Sequence, residues 1–302
     1  MTLDPEGFRW QRASPRGFSQ AFVRENPGGV PLLLVHGWPE TARIWWRVIE
    51  PLAAAGFEVV APDLRGFGRS EIAPDGFHDV ASHSLDLHAL MGWLGHERFV
   101  VAGGDLGGAV VQDMALRFPD AVTRMVVFNS PLPYDRERMA GMDTKAPAVA
   151  ADYFLRQGTD ADALAAELDT PEKRRRYIAT FYGPRFWAHP GTFDREAVDF
   201  MTEPFGDGVK LRASFGTYES AFSEAARSAL PMLGRNERTE ALILFGPSDH
   251  VLYADFDRMA AVVLPRHVGP FLLRDCGHFV PWEAPGPFVS AVRTFCRDLL
   301  PG

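Results

Sequence analysis

Six short apolar runs, separated by stretches with helical spacing, constrain the fold of this chain most. Residues 31–37 (PLLLVHG), 57–63 (FEVVAPD), 98–104 (RFVVAGG), 122–129 (VTRMVVFN), 241–246 (ALILFG) and 267–275 (HVGPFLLRD) read as strands. The first four are almost wholly apolar, as strands covered on both faces must be. Amphipathic stretches at 42–55, 82–94 and 107–118 lie between them and read as helices. Strand–helix alternation of this kind predicts an α/β class with a mostly parallel central sheet flanked by helices. The pattern breaks after Pro131. From 134 to 235 the chain is helical, charged and aromatic, with no convincing buried strand, as in PAVAADYFLR, TPEKRRRYIATFYG and REAVDFMTEPF. Thr170 before Pro171 reads as a capped helix start with proline in the first turn. Arg174, Arg175 and Arg176 read as a solvated face of that helix. The expected organisation is a core of 1–133 and 236–302, interrupted by an inserted helical cap over 134–235.

Composition narrows the functional classes. The 302 residues carry 31 Lys plus Arg against 39 Asp plus Glu, a formal charge of −8. That balance argues against binding to nucleic acid or an anionic membrane, because both need a basic face. Two cysteines, Cys276 and Cys296, form neither a disulfide framework nor a four-cysteine metal site. The opening MTLDPEGFRW lacks the basic and apolar regions of a secretory signal, and no apolar run is long enough to span a bilayer. The expectation is a reduced, cytoplasmic protein.

The chemistry is carried first by VVAGGDLGGAVVQDMALRF, residues 100–118. A buried strand runs into Gly103-Gly104-Asp105-Leu106-Gly107-Gly108 and a helix follows at once. This is the small-x-nucleophile-x-small spacing of a nucleophile elbow, in which a strained strand-to-helix turn leaves no room for neighbouring side chains. The helix N-terminus favours an anion there. The central residue is Asp105, not serine. A serine-type esterase is therefore disfavoured. A carboxylate suits displacement at sp³ carbon with formation of a covalent ester.

Such an ester needs a base to activate water. Of nine histidines, His278 in DCGHFVPWEAP follows the last expected strand, where the chain order nucleophile, acid, histidine puts the base. Gly277 is read as letting the backbone turn. The acid is Asp249 in ALILFGPSDHVL, at a strand end, suited to hold the imidazole tautomer. The loop after VVFN offers Asn129 instead of a carboxylate. Backbone N–H groups of Trp38, in LLVHGWPE, and of Leu106 are the expected oxyanion-hole donors. His36 reads as a structural hydrogen-bonding residue.

The ordered set HGWPE with Trp46-Arg47, APDLRGFGRS (61–70), GGDLGG, GPSDHV and CGHFVPWEAP resembles the epoxide hydrolase branch of the α/β-hydrolase superfamily, almost end to end across the core. The resemblance implies the α/β-hydrolase fold with the insertion as a lid, and hydrolysis of an apolar epoxide to a vicinal diol. It implies no cofactor and no metal, and a monomer or homodimer. It also implies lid tyrosines that support the opening epoxide oxygen. Tyr153 in AADYFLR and Tyr218 in FGTYESAF match these positions, with His189, Tyr177 and Tyr182 as competitors for the first. Trp38 is expected at the substrate as well. Phe181, Phe186, Trp187, Phe205 and Phe215 suggest an apolar pocket, most of them as lid core. Two departures bear on a hydrolytic dehalogenase, the rival reading. Leu106 stands where haloalkane dehalogenases of this fold carry a halide-holding tryptophan. LGGAVVQDM has none of the arginines with which fluoroacetate dehalogenases clamp a carboxylate. The Trp38 indole keeps a halide site open. A non-catalytic ligand-binding member of the fold is the further alternative.

Overall fold

A computed structural model describes residues 3–145, 148–183 and 187–301. Eight strands form one sheet: β1 (Trp10–Ala13), β2 (Gln20–Glu25), β3 (Val30–Val35), β4 (Phe57–Pro62), β5 (Phe99–Gly104), β6 (Val122–Phe128), β7 (Glu240–Phe245) and β8 (His267–Leu272). Their spatial order is β1-β2-β4-β3-β5-β6-β7-β8. The pairs β1/β2 and β2/β4 are antiparallel and every other neighbouring pair is parallel.

The six apolar runs are β3 to β8. The two extra strands have sequences, WQRA and QAFVRE, without a continuous apolar run. They pair antiparallel at one side of the sheet: β1, the edge strand, is largely part-exposed, while β2, between β1 and β4, buries four of its six residues. At the opposite edge β8 is half exposed, with Val268, Phe271 and Leu272 facing solvent. It is not covered on both faces as β4 and β5 are.

The helices are α1 (Ile49–Ala54), α2 (Val80–Trp93), α3 (Asp105–Arg117), α4 (Ala148–Thr159), α5 (Ala161–Glu167), α6 (Pro171–Ala179), α7 (Arg195–Thr202), α8 (Gly208–Ser214), α9 (Gly216–Phe222), α10 (Phe256–Val263), α11 (Val280–Glu283) and α12 (Pro285–Phe295). The helix expected over 42–55 is split into a 3₁₀ turn, Ala42–Trp45, and α1. Pro51 has no N–H to give, so it fits only in a first turn, and the α-helix begins just before it. Among the described residues none of these helices is long and apolar enough to cross a membrane.

Helices α4 to α9 all lie between β6 and β7. The α6 start is capped as its sequence suggests: Thr170 accepts from the Lys173 N–H at 3.2 Å, with Pro171 first in the helix. Arg175 and Arg176 are exposed. Arg174 instead turns inward and donates to the carbonyls of Gly206 (2.9 Å) and Leu168 (2.8 Å). The insertion is pinned to the sheet side by buried Arg43, which donates to Phe200 O and Glu203, both at 2.6 Å. Tyr182 OH adds a 2.5 Å bond to Pro39 O. The return segment after α9 is held by Asp79, the N-cap of α2, which accepts from the Ser228 N–H at 2.7 Å.

Candidate active site

In an open parallel sheet, ligands meet the carboxyl ends of the strands. The chemistry-bearing residues gather there, after β3, β5, β6, β7 and β8. Asp105 is the first residue of α3 and has φ 48°, a conformation that costs an L-residue on the order of 1–2 kcal/mol. Its N–H donates to Asn129 O at 2.8 Å, tying the turn to the end of β6. The elbow glycines are demanded by contact. A Cβ on Gly107 would collide with Val35 O, and one on Gly103 with the Gly107 backbone.

The two oxygens of Asp105 have different partners. Oδ1 accepts from the Trp38 N–H at 2.7 Å. Oδ2 lies 3.3 Å from His278 Nε2. The ring is turned so that Nδ1 meets Asp249 Oδ2 at 2.8 Å. Nε2 makes no hydrogen bond of good geometry among the described residues. Burial disfavours the charged imidazole, but Asp249 and Asp105 outweigh it and hold the His278 pKa well above the ordinary histidine value. Asp249 is itself fixed: Asn129 Nδ2 donates to Oδ2 at 2.8 Å and the Val251 N–H to Oδ1 at 2.8 Å. The Leu106 N–H lies in the first turn of α3, where amides lack intrahelical acceptors.

A cavity of about 570 Å³ opens over Asp105 and Leu106. Tyr153 and Tyr218 line it, together with Ala109, Pro131, Phe154 and Leu233. Burial, with the nearby Asp105 charge, raises both phenol pKa values well above the usual tyrosine value, so both remain O–H donors. The Tyr153 ring meets Tyr218 edge to face at 5.9 Å and stacks on Trp38 at 5.8 Å.

Several expected residues sit elsewhere. The Trp38 indole does not line the cavity; it is fully buried behind the tyrosines, and its Nε1–H donates to Ser214 Oγ at 3.1 Å. Only its backbone reaches Asp105. The Tyr182 hydroxyl is spent on Pro39 O, and the Tyr177 hydroxyl accepts from Gln157 at 2.8 Å. His189 faces Ser248 Oγ at 3.0 Å. None of the three lines the cavity. Phe181, Trp187, Phe205 and Phe215 are buried and none lines the cavity; Phe181 and Phe215 pack on Trp38, and Phe181 also on Trp187. Phe186 lies outside the described residues. Gly277 does not take a glycine-only conformation; a Cβ there would strike Trp187 O and the His189 N–H. His36 donates from Nδ1 to Gly37 O (2.8 Å) and accepts from the Leu64 N–H at Nε2 (3.0 Å), with burial lowering its pKa to about 4.

Two contributors are invisible as such in the sequence. Asn129 reads as a strand end, yet it holds the acid. Glu40, after Trp38-Pro39, is given no role by the sequence, yet it is buried and accepts from the Gly37 N–H at 2.5 Å. Burial, then the Asp105 charge, pushes its pKa up to about 8.

Comparison with known proteins agrees with this architecture. Residues 30–285 match the model of the alpha/beta hydrolase fold family. A soluble epoxide hydrolase of Corynebacterium sp. (strain C12) is 29% identical over 296 residues, covering 95% of this chain and 97% of the relative. A fluoroacetate dehalogenase of Burkholderia sp is 30% identical over 288 residues, covering 91% and 89%. The ligand-free structure of the epoxide hydrolase CorEH superposes with a TM-score of 0.83 at 25% identity, covering 97% of this chain and 99% of that one. With its eight-stranded, mostly parallel sheet and a match across most of its length, the chain belongs to the alpha/beta hydrolase fold family.

Proposed function

We propose that this chain hydrolyses an epoxide to a vicinal diol through an ester on Asp105. One observation carries the reading: the two oxygens of Asp105 have separate environments beneath a cavity lined by two phenol donors. Oδ2, the oxygen without an amide donor, attacks the epoxide carbon. The C–O bond breaks, and Tyr153 and Tyr218 donate to the emerging alkoxide. Oδ1 becomes the ester carbonyl oxygen, already placed at the Trp38 N–H and beside the first turn of α3.

Ester formation removes the Asp105 charge, one of the two that hold the His278 proton. The imidazole pKa then falls, its proton goes to the alkoxide left by ring opening, and the neutral ring becomes the base that the second step needs. His278 Nε2 takes a proton from water, hydroxide adds to the ester carbonyl, and the oxyanion forms on Oδ1. Collapse releases the diol and restores the carboxylate. Asp249 stabilises the imidazolium in the resting chain and again once the ring has taken the water proton. In this reading 134–235 is a cap that carries the phenols, and 1–133 with 236–302 is the core.

A single turnover in ¹⁸O water tests the route. The label is expected in the Asp105 carboxylate and absent from the first diol. Label in the first-turnover diol would rule out the ester. His278→Gln is expected to accumulate a protein one substrate mass heavier.

The dehalogenase relative supports a second reading, halide displacement by the same Asp105. Two features favour the epoxide: the Trp38 indole N–H is taken by Ser214, and α3 offers no arginine in its first turns. Halide release from haloalkanes or haloacids, with no turnover of styrene oxide, would reverse the preference.

A further inference from the structure

Resting on the reading of His278 as base, the geometry points to Glu283 as a positioning residue that makes the placement of His278 depend on the docking of segment 187–192. The three amides around the base are all used. The Gly277 N–H donates to Glu283 Oε2 at 3.0 Å and the Phe279 N–H to Oε1 at 2.8 Å. The His278 N–H between them donates to Trp187 O at 2.8 Å.

The same Oε2 also accepts from the His189 N–H at 2.7 Å and lies 3.2 Å from Thr192 Oγ1, whose one proton it shares with the nearer His189 O at 2.7 Å. One half-buried carboxylate thus collects donors from the loop that carries the base and from the insertion. No Lys, Arg or His side chain pairs with it at ion-pair distance among the described residues. Its orientation is therefore set by those four donors alone. The fit is close on the other side too: the Trp187 ring stands edge-on to the imidazole at 4.5 Å, and Gly277 lets segment 187–192 approach. Asp249 aims the ring, while Glu283 and Trp187 O hold the backbone from which it hangs. Water attack needs Nε2 placed to a fraction of an ångström, whereas attack by Asp105 needs no base.

Glu283→Gln tests this. Its amide keeps the volume but sets an NH₂ against one set of donors. The expected result is a deacylation rate reduced about 10- to 100-fold, the cost of a small misplacement of a reacting group. Ester formation stays within about twofold of the native rate, so the ester accumulates in the steady state and is seen by intact mass. Equal loss of both steps, or unchanged deacylation, would overturn the inference. If Glu283→Gln does not fold, Thr192→Val decides: deacylation slowed a few-fold with ester formation intact supports it, and no change defeats it. His278→Gln run in parallel separates the two claims. If that variant forms no ester, the hydrolase reading fails. If it does and Glu283→Gln deacylates normally, only the role of Glu283 falls.

Discussion

The floor and the roof of the cavity are held by different forces. The floor consists of strand-end residues. Asp105, Asp249, Asn129 and Glu40 are aimed by hydrogen bonds of 2.5–2.9 Å, most of them to backbone groups. The roof consists of Tyr153, Phe154 and Tyr218 on α4 and α9, which meet their neighbours through ring contacts 5.4–5.9 Å between centroids. Hydrogen bonds are directional and fall off steeply with angle, while ring packing tolerates many arrangements at similar energy, each pair contributing about 0.5–1.5 kcal/mol. The floor is preorganised for charge that develops at fixed points. The roof is adaptable, and in the proposed reaction it is the part that meets the epoxide.

That contrast orders the expected effects. Asp105→Ala should abolish diol formation, a loss of about 10⁴-fold or more in kcat, since Asp79, also in the cavity lining, is engaged by the Ser82 and Ser228 N–H groups as the α2 cap. Retained turnover would remove the floor from the chemistry altogether. Tyr153→Phe and Tyr218→Phe should each cost about 10²-fold in the ester-forming step, the usual price of one preorganised donor. If either matched Asp105→Ala, the roof would be as exacting as the floor.

Asn129→Gly keeps the φ of 35° that the position requires and deletes the amide that holds Asp249 and that also bonds the N–H and the carbonyl of Gly246 at the end of β7. It should slow deacylation about tenfold, equivalent to about 1.4 kcal/mol. No change in single-turnover deacylation would mean that Val251 and His278 suffice to orient the acid.

The smallest effect is on stability. Glu40 rises from 4.5 to about 8 in the folded chain. Between those values the unfolded chain has lost a proton that the folded chain keeps, so Glu40 lowers stability progressively as pH rises from about 4.5 to about 8. Glu40→Gln should therefore melt above the native chain by a margin that widens between pH 5 and 8.5, at about 2–4 °C per kcal/mol. A margin independent of pH would show that Glu40 is ionised in the fold.

Much of the floor could be read from the chain. The apolar runs that became β3, β5 and β7 end at His36-Gly37, Asp105 and the loop to Asp249, because strand and loop chemistry are local properties. Asn129 escaped because its role depends on β6 lying beside β7, a fact of sheet order. The roof was less legible. Only resemblance points to Tyr153 and Tyr218, and aromatics such as Phe181 and Phe215 differ from cavity residues only in which way they face. Spacing on a helix gives a face, not what that face meets.

The chain alone determined a tight strand–turn–helix bend at Asp105, since an apolar run, small residues on both sides of a carboxylate and a helical stretch follow one another directly in sequence. It also determined the α/β class and the position of the helical interruption. Tertiary structure decided how the two oxygens of Asp105 differ, why Gly277 must be glycine, and that the Trp38 indole is occupied by Ser214, 176 residues away. These depend on close approach between segments far apart in sequence, and such distances are set only when the whole sheet and its insertion pack together.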